Sequence, residues 1–115
     1  MADYPKQGEI WWTLFYEGWE RPSIVVSRNE LNRGRLILVV PCTSSRVQER
    51  SAYSNHVLIP AGTGELTRDT IAQTHLIQPI EVSYLDRKMG KLQIEQLAEI
   101  LLAIAWTVDL FDTTR

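Results

Sequence analysis

The feature that most constrains this 115-residue chain is a change of hydrophobic period near residue 93. Before it, apolar residues come in short runs bounded by Gly, Pro, Asn and Ser, the pattern of β-strands joined by turns. After it, Ile94, Leu97, Leu101, Ile104, Ala105 and Val108 recur at helical spacing, with Glu95, Gln96 and Glu99 on another face. A chain of this length supports one domain with one modest core, so residues 1–115 read as a single domain. Strands followed by one helix predict a mainly β fold, a small barrel of about five strands with a C-terminal amphipathic helix.

The apolar runs place strands at 8–15, 22–27, 35–42, 55–59 and 70–80, the last interrupted near Thr74-His75. Pro22 suits the first position of its strand, where the missing N–H costs least. The run 35–42 is apolar throughout, as in a central strand buried on both faces. Trp11 and Trp12 alternate across their strand, which sends one to the core and the other to an interface or the surface. The helix is expected over 93–111 with a weak N-terminal signal, since Gln93 is no natural cap. Leu102, Trp106 and Leu110 form a second apolar stripe on that helix. It calls for a homodimer or a bound partner chain unless a loop covers it.

The net charge is −2, which excludes a globally basic nucleic-acid protein. The charge is uneven, however. Residues 21–50 hold Arg21, Arg28, Arg33, Arg35, Arg46 and Arg50 against Glu30 and Glu49. Such a segment either builds a local phosphate-binding face or simply solvates a hairpin. Cys42 is the lone cysteine, which excludes an intrachain disulfide and suits a reducing cytoplasm. The N-terminal residues lack the apolar core of a signal peptide, and no apolar run is long enough to span a bilayer. A soluble cytoplasmic protein is expected.

Most catalytic patterns are missing. One cysteine and two histidines, His56 and His75, give no zinc spacing, and no metal or cofactor is expected. No glycine-rich phosphate loop precedes a helix, and no Gly-x-Ser-x-Gly elbow occurs. What remains is a pair of polar signals on β runs: Arg21-Pro22 leading into one, and Thr43-Ser44-Ser45 leaving another. A guanidinium beside a hydroxyl suits a phosphate oxygen. RNA brings its own nucleophile, the 2′-OH, so a protein need only move protons and stabilise the crowded phosphorus. Arg21 and Thr43 meet those needs if their strand ends adjoin.

Gly8-Glu9-Ile10-Trp11, Arg21-Pro22-Ser23-Ile24-Val25-Val26-Ser27, Val40-Pro41-Cys42-Thr43-Ser44, Asn55-His56-Val57 and Arg68-Asp69-Thr70 stand in an order similar to that of the MazF/PemK toxins. The resemblance covers about residues 7–111. It implies a homodimer of SH3-like barrels, each with a C-terminal helix. It also implies a metal-independent endoribonuclease of a toxin–antitoxin pair, an mRNA interferase that leaves a 2′,3′-cyclic phosphate and a 5′-hydroxyl on single-stranded RNA. A cognate antitoxin (MazE-like) would neutralise it. The resemblance assigns catalysis to Arg21 and Thr43. Arginine gives up its proton only above about 12, so an electrostatic role suits Arg21 better than a basic one. Ser44 and Ser45 would flank the site, and Arg28, Arg46 and Arg50 are further RNA-contact candidates. His56 either lies near the RNA groove or is a satisfied edge residue. Trp19 either stacks on a base or packs on the barrel rim or the antitoxin. A rival is a toxin of the same fold that binds a protein such as DNA gyrase through residues 106–115, or an inactive relative that only binds.

Overall fold

The computed structural model describes residues 3–109. Seven strands make one antiparallel sheet: β1 (Glu9–Tyr16), β2 (Trp19–Val25), β3 (Leu36–Thr43), β4 (His56–Ile59), β5 (Thr70–Gln73), β6 (Gln78–Glu81) and β7 (Leu85–Lys91). Their order is β4-β5-β3-β2-β1-β7, with β6 also paired to β3. One-turn helices α1 (Asn29–Asn32) and α2 (Val47–Arg50) sit in the connections, and α3 (Ile94–Thr107) follows the last strand. The mainly β architecture with a C-terminal helix is the expected one, with seven strands in place of about five.

The differences have local causes. The unforeseen strand is β7, whose sequence Leu-Asp-Arg-Lys-Met-Gly-Lys buries only Met89 and carries the charges typical of an edge. The interruption near Thr74-His75 is present as a 3-10 turn over Thr74–Leu76. Between the pairs Cys42↔Ala72 and Val39↔Gln78, β3 spends two residues where the opposing chain spends five, so the excess bulges outward. One of those two is Pro41, which has no N–H for the ladder. The first hairpin is tighter than expected: β1 and β2 run on to the pair Tyr16↔Trp19, and Gly18 takes φ +80° in the turn. Arg21 therefore lies inside β2, and Thr43 is the last residue of β3.

The sheet carries apolar clusters on both faces. One contains Ile10, Ile24, Val40, Cys42, Ile59, Met89 and Ile100, and the other Phe15, Val25, Ile37, Val39 and Ile80. Trp12 packs against the first and Trp11 against the second, so the two alternate across the strand as expected, but both are half-buried and neither is fully in the core. Burial of β3 on both faces holds from Val39 to Thr43, but Leu36 and Leu38 are exposed at its start.

No strand ladder joins β4 to β7 among the described residues. The loop between β4 and β5 bridges the gap instead. The Glu65 N–H donates to Met89 O at 2.7 Å, and the Glu65 carboxylate pairs with Arg87. This approach demands glycine at 64, with φ +54°, because a Cβ there would lie 2.5 Å from Met89 O.

Helix α3 has a better start than the sequence suggested. Gln93 and Gln96 form a reciprocal capping box, a role glutamine fills here although it is a rare cap. The buried face is Ile100 and Ala103, flanked by Leu97 and Ile104 of the expected stripe, whose other members Ile94, Leu101 and Val108 are exposed. Apolar residues nearly encircle this helix, so spacing alone left the choice of face open. Small Ala103 permits close packing on the sheet. Thr107 Oγ1 bonds Ala103 O at 2.8 Å and Thr74 Oγ1 at 3.0 Å, which pins the helix end to the 3-10 turn. Leu102 and Trp106 are each 58% exposed, as an unpartnered stripe should be; Leu110 lies outside the described residues.

Candidate active site

The β2–β3 ladder runs from Val25↔Val39 to Ser23↔Pro41. Arg21 and Thr43 each lie two residues beyond it, at the same end of the sheet. Both line a recess of about 220 Å³ together with Trp12, Glu20, Ser44, Glu65, Thr67 and Arg68. The strand ends therefore adjoin, as the sequence reading required. Behind them, the Thr13 and Ser23 hydroxyls share a buried hydrogen bond of 2.6 Å across β1 and β2, which fixes the strand on both sides of Pro22.

Thr43 is only 7% exposed, and its Oγ1 accepts the Ser45 N–H at 3.1 Å. An accepting hydroxyl keeps its own proton to donate, so Thr43 presents a held O–H donor to the recess. The Arg21 guanidinium makes no hydrogen bond or ion pair among the described residues. It stands over the Trp19 ring, 5.9 Å from its centroid. A half-buried, unneutralised guanidinium beside a hydroxyl donor has the chemistry to take a phosphate-sized anion.

Arg68 is a recess residue that the sequence reading did not select as a candidate. It lines the same recess and also lacks an ion pair among the described residues. Its carbonyl accepts the Thr70 Oγ1 proton at 3.0 Å, and the neighbouring Asp69 Oδ1 accepts the Ala61 N–H at 2.8 Å. The available signal was an arginine just ahead of a strand, the pattern already noticed at Arg21. The Cys42 thiol contributes to the lining but is no nucleophile, since burial pushes its pKa up to about 12.

The remaining candidates lie elsewhere. Ser44 borders the recess, while Ser45 contributes its N–H to Thr43 and exposes its side chain. Trp19 is half-buried against Phe15, with ring centroids 4.4 Å apart, which fits the rim-packing alternative. Arg28 is seven residues along the chain from Arg21, roughly 23 Å of extended backbone. Arg46 is exposed in the left-handed conformation ahead of α2. His56 pairs with Gln73 at the end of the β4–β5 hairpin away from Thr70, roughly 10 Å from the recess.

Arg50 and His56 form a separate cluster with Tyr53, Asn55 and His75. His56 Nδ1 lies 2.8 Å from Arg50 O, and the His56 and His75 rings are 5.3 Å apart. Burial, then the His56 ring and the Arg50 guanidinium, hold the His75 imidazole below its ordinary pKa. The arginine-rich segment is thus split between both ends of the sheet and does not form one face.

Three kinds of likeness accompany this geometry. The profile of a family described as "PemK-like, MazF-like toxin of type II toxin-antitoxin system" matches residues 6–108. A Mycobacterium tuberculosis H37Rv protein named "Probable endoribonuclease MazF5" is 27% identical over 110 residues, 95% of this chain and 97% of its own. Among solved structures, a mycobacterial endoribonuclease in complex with its cognate antitoxin superposes with a TM-score of 0.79 at 18% identity, covering 92% of this chain and 96% of that one. The M. tuberculosis toxin MazF-mt6 gives 0.74 at 22%, covering 88% and 96%. A MazE-MazF complex from Deinococcus radiodurans gives 0.75 at 20%, covering 93% and 97%. At these identities the structures speak for the fold.

Proposed function

Because the chain belongs to the PemK-like, MazF-like toxin family of type II toxin–antitoxin systems, we propose that it is an endoribonuclease that cuts single-stranded RNA at the Arg21–Thr43 recess. The observation that carries this reading is the meeting, at one end of the sheet, of an unneutralised guanidinium and a held hydroxyl donor. The substrate's 2′-OH attacks the adjacent phosphorus and gives its proton to water, the P–O5′ bond breaks as the leaving 5′-oxygen takes a proton from water, and the products are a 2′,3′-cyclic phosphate and a 5′-hydroxyl. This chemistry asks the protein for charge stabilisation and supplies its own nucleophile, so the reaction proceeds without a metal. Arg21 carries fixed positive charge for the oxygens of the phosphorane-like state, and Thr43 donates its O–H to one of them. Arg68 adds a second cation at the rim.

The uncovered side chains of Leu102 and Trp106 support a homodimer, and an antitoxin segment laid over the recess would shut out RNA. No helix among the described residues is long and apolar enough to cross a membrane; the cytoplasm is the proposed site of action. The rival mode, poisoning a protein target through residues 106–115, rests on a segment whose residues from 110 onward lie outside those described.

The test is incubation of the purified protein and its Arg21→Ala variant with long single-stranded RNAs in EDTA, with mapping of the cut ends. Discrete wild-type cuts with cyclic-phosphate ends, absent in the variant, are expected. Equal cutting by the variant, or intact RNA with the wild type across diverse transcripts, refutes the proposal.

A further inference from the structure

The recess is an odd phosphate site in one respect: it is lined by carboxylates as well as guanidiniums. Of the two, Glu65 is neutralised by Arg87. Glu20 is not; it has no ion pair among the described residues, and its Oε1 accepts only the Trp12 indole N–H at 2.9 Å. A free carboxylate beside a phosphodiester opposes binding unless the ligand brings donors to it. Its partner Trp12 is a flat ring seated on the inner apolar cluster, with its polar edge held by that same bond. A fixed aromatic face next to a lone acceptor matches the two demands of an unpaired nucleobase, which stacks on its π-face and is read along its Watson–Crick edge.

We propose that Trp12 and Glu20 form a base-reading subsite within the recess that selects guanine on the nucleotide whose phosphate meets Arg21 and Thr43. An ionised Glu is an acceptor only. Guanine turns two adjacent donors, N1–H and the N2 amine, toward such a group. Adenine and cytosine offer one amine, and uracil offers a single N3–H between two carbonyls that repel a carboxylate. The preference runs from guanine, through the two amino bases, to uracil. The site divides its labour: Arg21 and Thr43 hold charge common to every nucleotide, while Glu20 supplies the term that differs between them.

The inference rests on reading the recess as an RNA site, but its test needs no cleavage. Guanosine, inosine and uridine 3′-monophosphates, which lack a scissile bond, are titrated into the wild type, Glu20→Gln and Arg21→Ala, with calorimetry or tryptophan fluorescence as readout. The wild type is expected to bind guanosine monophosphate at least tenfold tighter than the uridine nucleotide, with inosine, which lacks the N2 amine, between them. Glu20→Gln should bring that ratio to within twofold, whereas Arg21→Ala should weaken all three and keep their order. Equal binding of guanosine and uridine nucleotides by the wild type, or a ratio unchanged in Glu20→Gln, overturns the subsite. Selective nucleotide binding by a protein that cuts no RNA would support the subsite and sink the ribonuclease. Cutting with base preferences unmoved by Glu20→Gln would do the reverse.

Discussion

Replacing Gly64 by alanine tests whether the loop between β4 and β5 is held by direct backbone contact with β7. Two costs add. The φ of +54° is left-handed, which costs an alanine about 1 kcal/mol. The new Cβ would sit 2.5 Å from Met89 O and 3.2 Å from Gly90 Cα, both backbone atoms that cannot swing aside. Relief requires the loop to lift, which loses the Glu65 N–H to Met89 O bond, worth about 1 kcal/mol, and adds roughly another 1 kcal/mol in disturbed packing. The sum is about 3 kcal/mol. Gly62 in the same loop is the control: its φ is +91°, but a Cβ there meets nothing within 4 Å, so Gly62→Ala should show only the backbone cost of about 1 kcal/mol. Urea unfolding at constant m value measures both. If the two variants lose the same stability to within about 0.5 kcal/mol, the contact carries no energy and the account of the gap between β4 and β7 is wrong.

Thr43→Val removes the acceptor of the Ser45 N–H and the donor facing the recess. It should cost about 1–2 kcal/mol by unfolding and abolish cleavage, while Thr43→Ser should retain most of both; a fully active valine variant contradicts the role given to the hydroxyl. At Glu9, burial is the largest single influence and raises the pKa. It is outweighed by the Lys6 N–H, the Trp11 indole and Lys88, so the net shift is downward. A depressed folded pKa gives stability that is present above the unfolded carboxylate value and lost as pH falls through the folded one. Glu9→Gln should therefore flatten the acid limb of a stability–pH curve and leave a smaller deficit at low pH than at neutral pH; a deficit that grows on acidification reverses the sign. Cys42, buried and with its pKa pushed up to about 12, should resist iodoacetamide at pH 8 in native protein and react only on unfolding, as read by mass spectrometry. Rapid native labelling contradicts it.

The strands rich in Ile and Val were legible because a sheet buried on both faces writes continuous apolar runs. β7 was not legible. Its partner β1 supplies the apolar side chains, and β7 contributes mainly backbone, Met89 and charge. The same asymmetry governed the site. Arg21 and Thr43 could be matched because both end runs of the readable kind. Arg68 sits on a loop whose position depends on Gly64 meeting β7, a contact 25 residues away in sequence that no local pattern announces. Trp12 was visible as an aromatic, but its bond to Glu20 requires the hairpin register, in which Trp12 faces Pro22 and Glu20 is its diagonal neighbour. The face of α3 was underdetermined by its surplus of apolar residues.

The two apolar clusters on opposite faces of the sheet have a consequence for how the recess behaves in time. Ile24, Val25, Val39 and Val40 are fully enclosed, and their amides should exchange with deuterium only when the whole domain opens. Arg21 and Thr43 extend from that slow-exchanging block. Thr67 and Arg68, across the recess, ride on an exposed loop between strands of four residues each. One wall is therefore enclosed within the sheet, and the other hangs on a few surface hydrogen bonds that can open locally. A groove of this design keeps its reaction geometry constant while admitting strands of different bulk, and a ligand that settles there should slow exchange in the loop far more than in the strands.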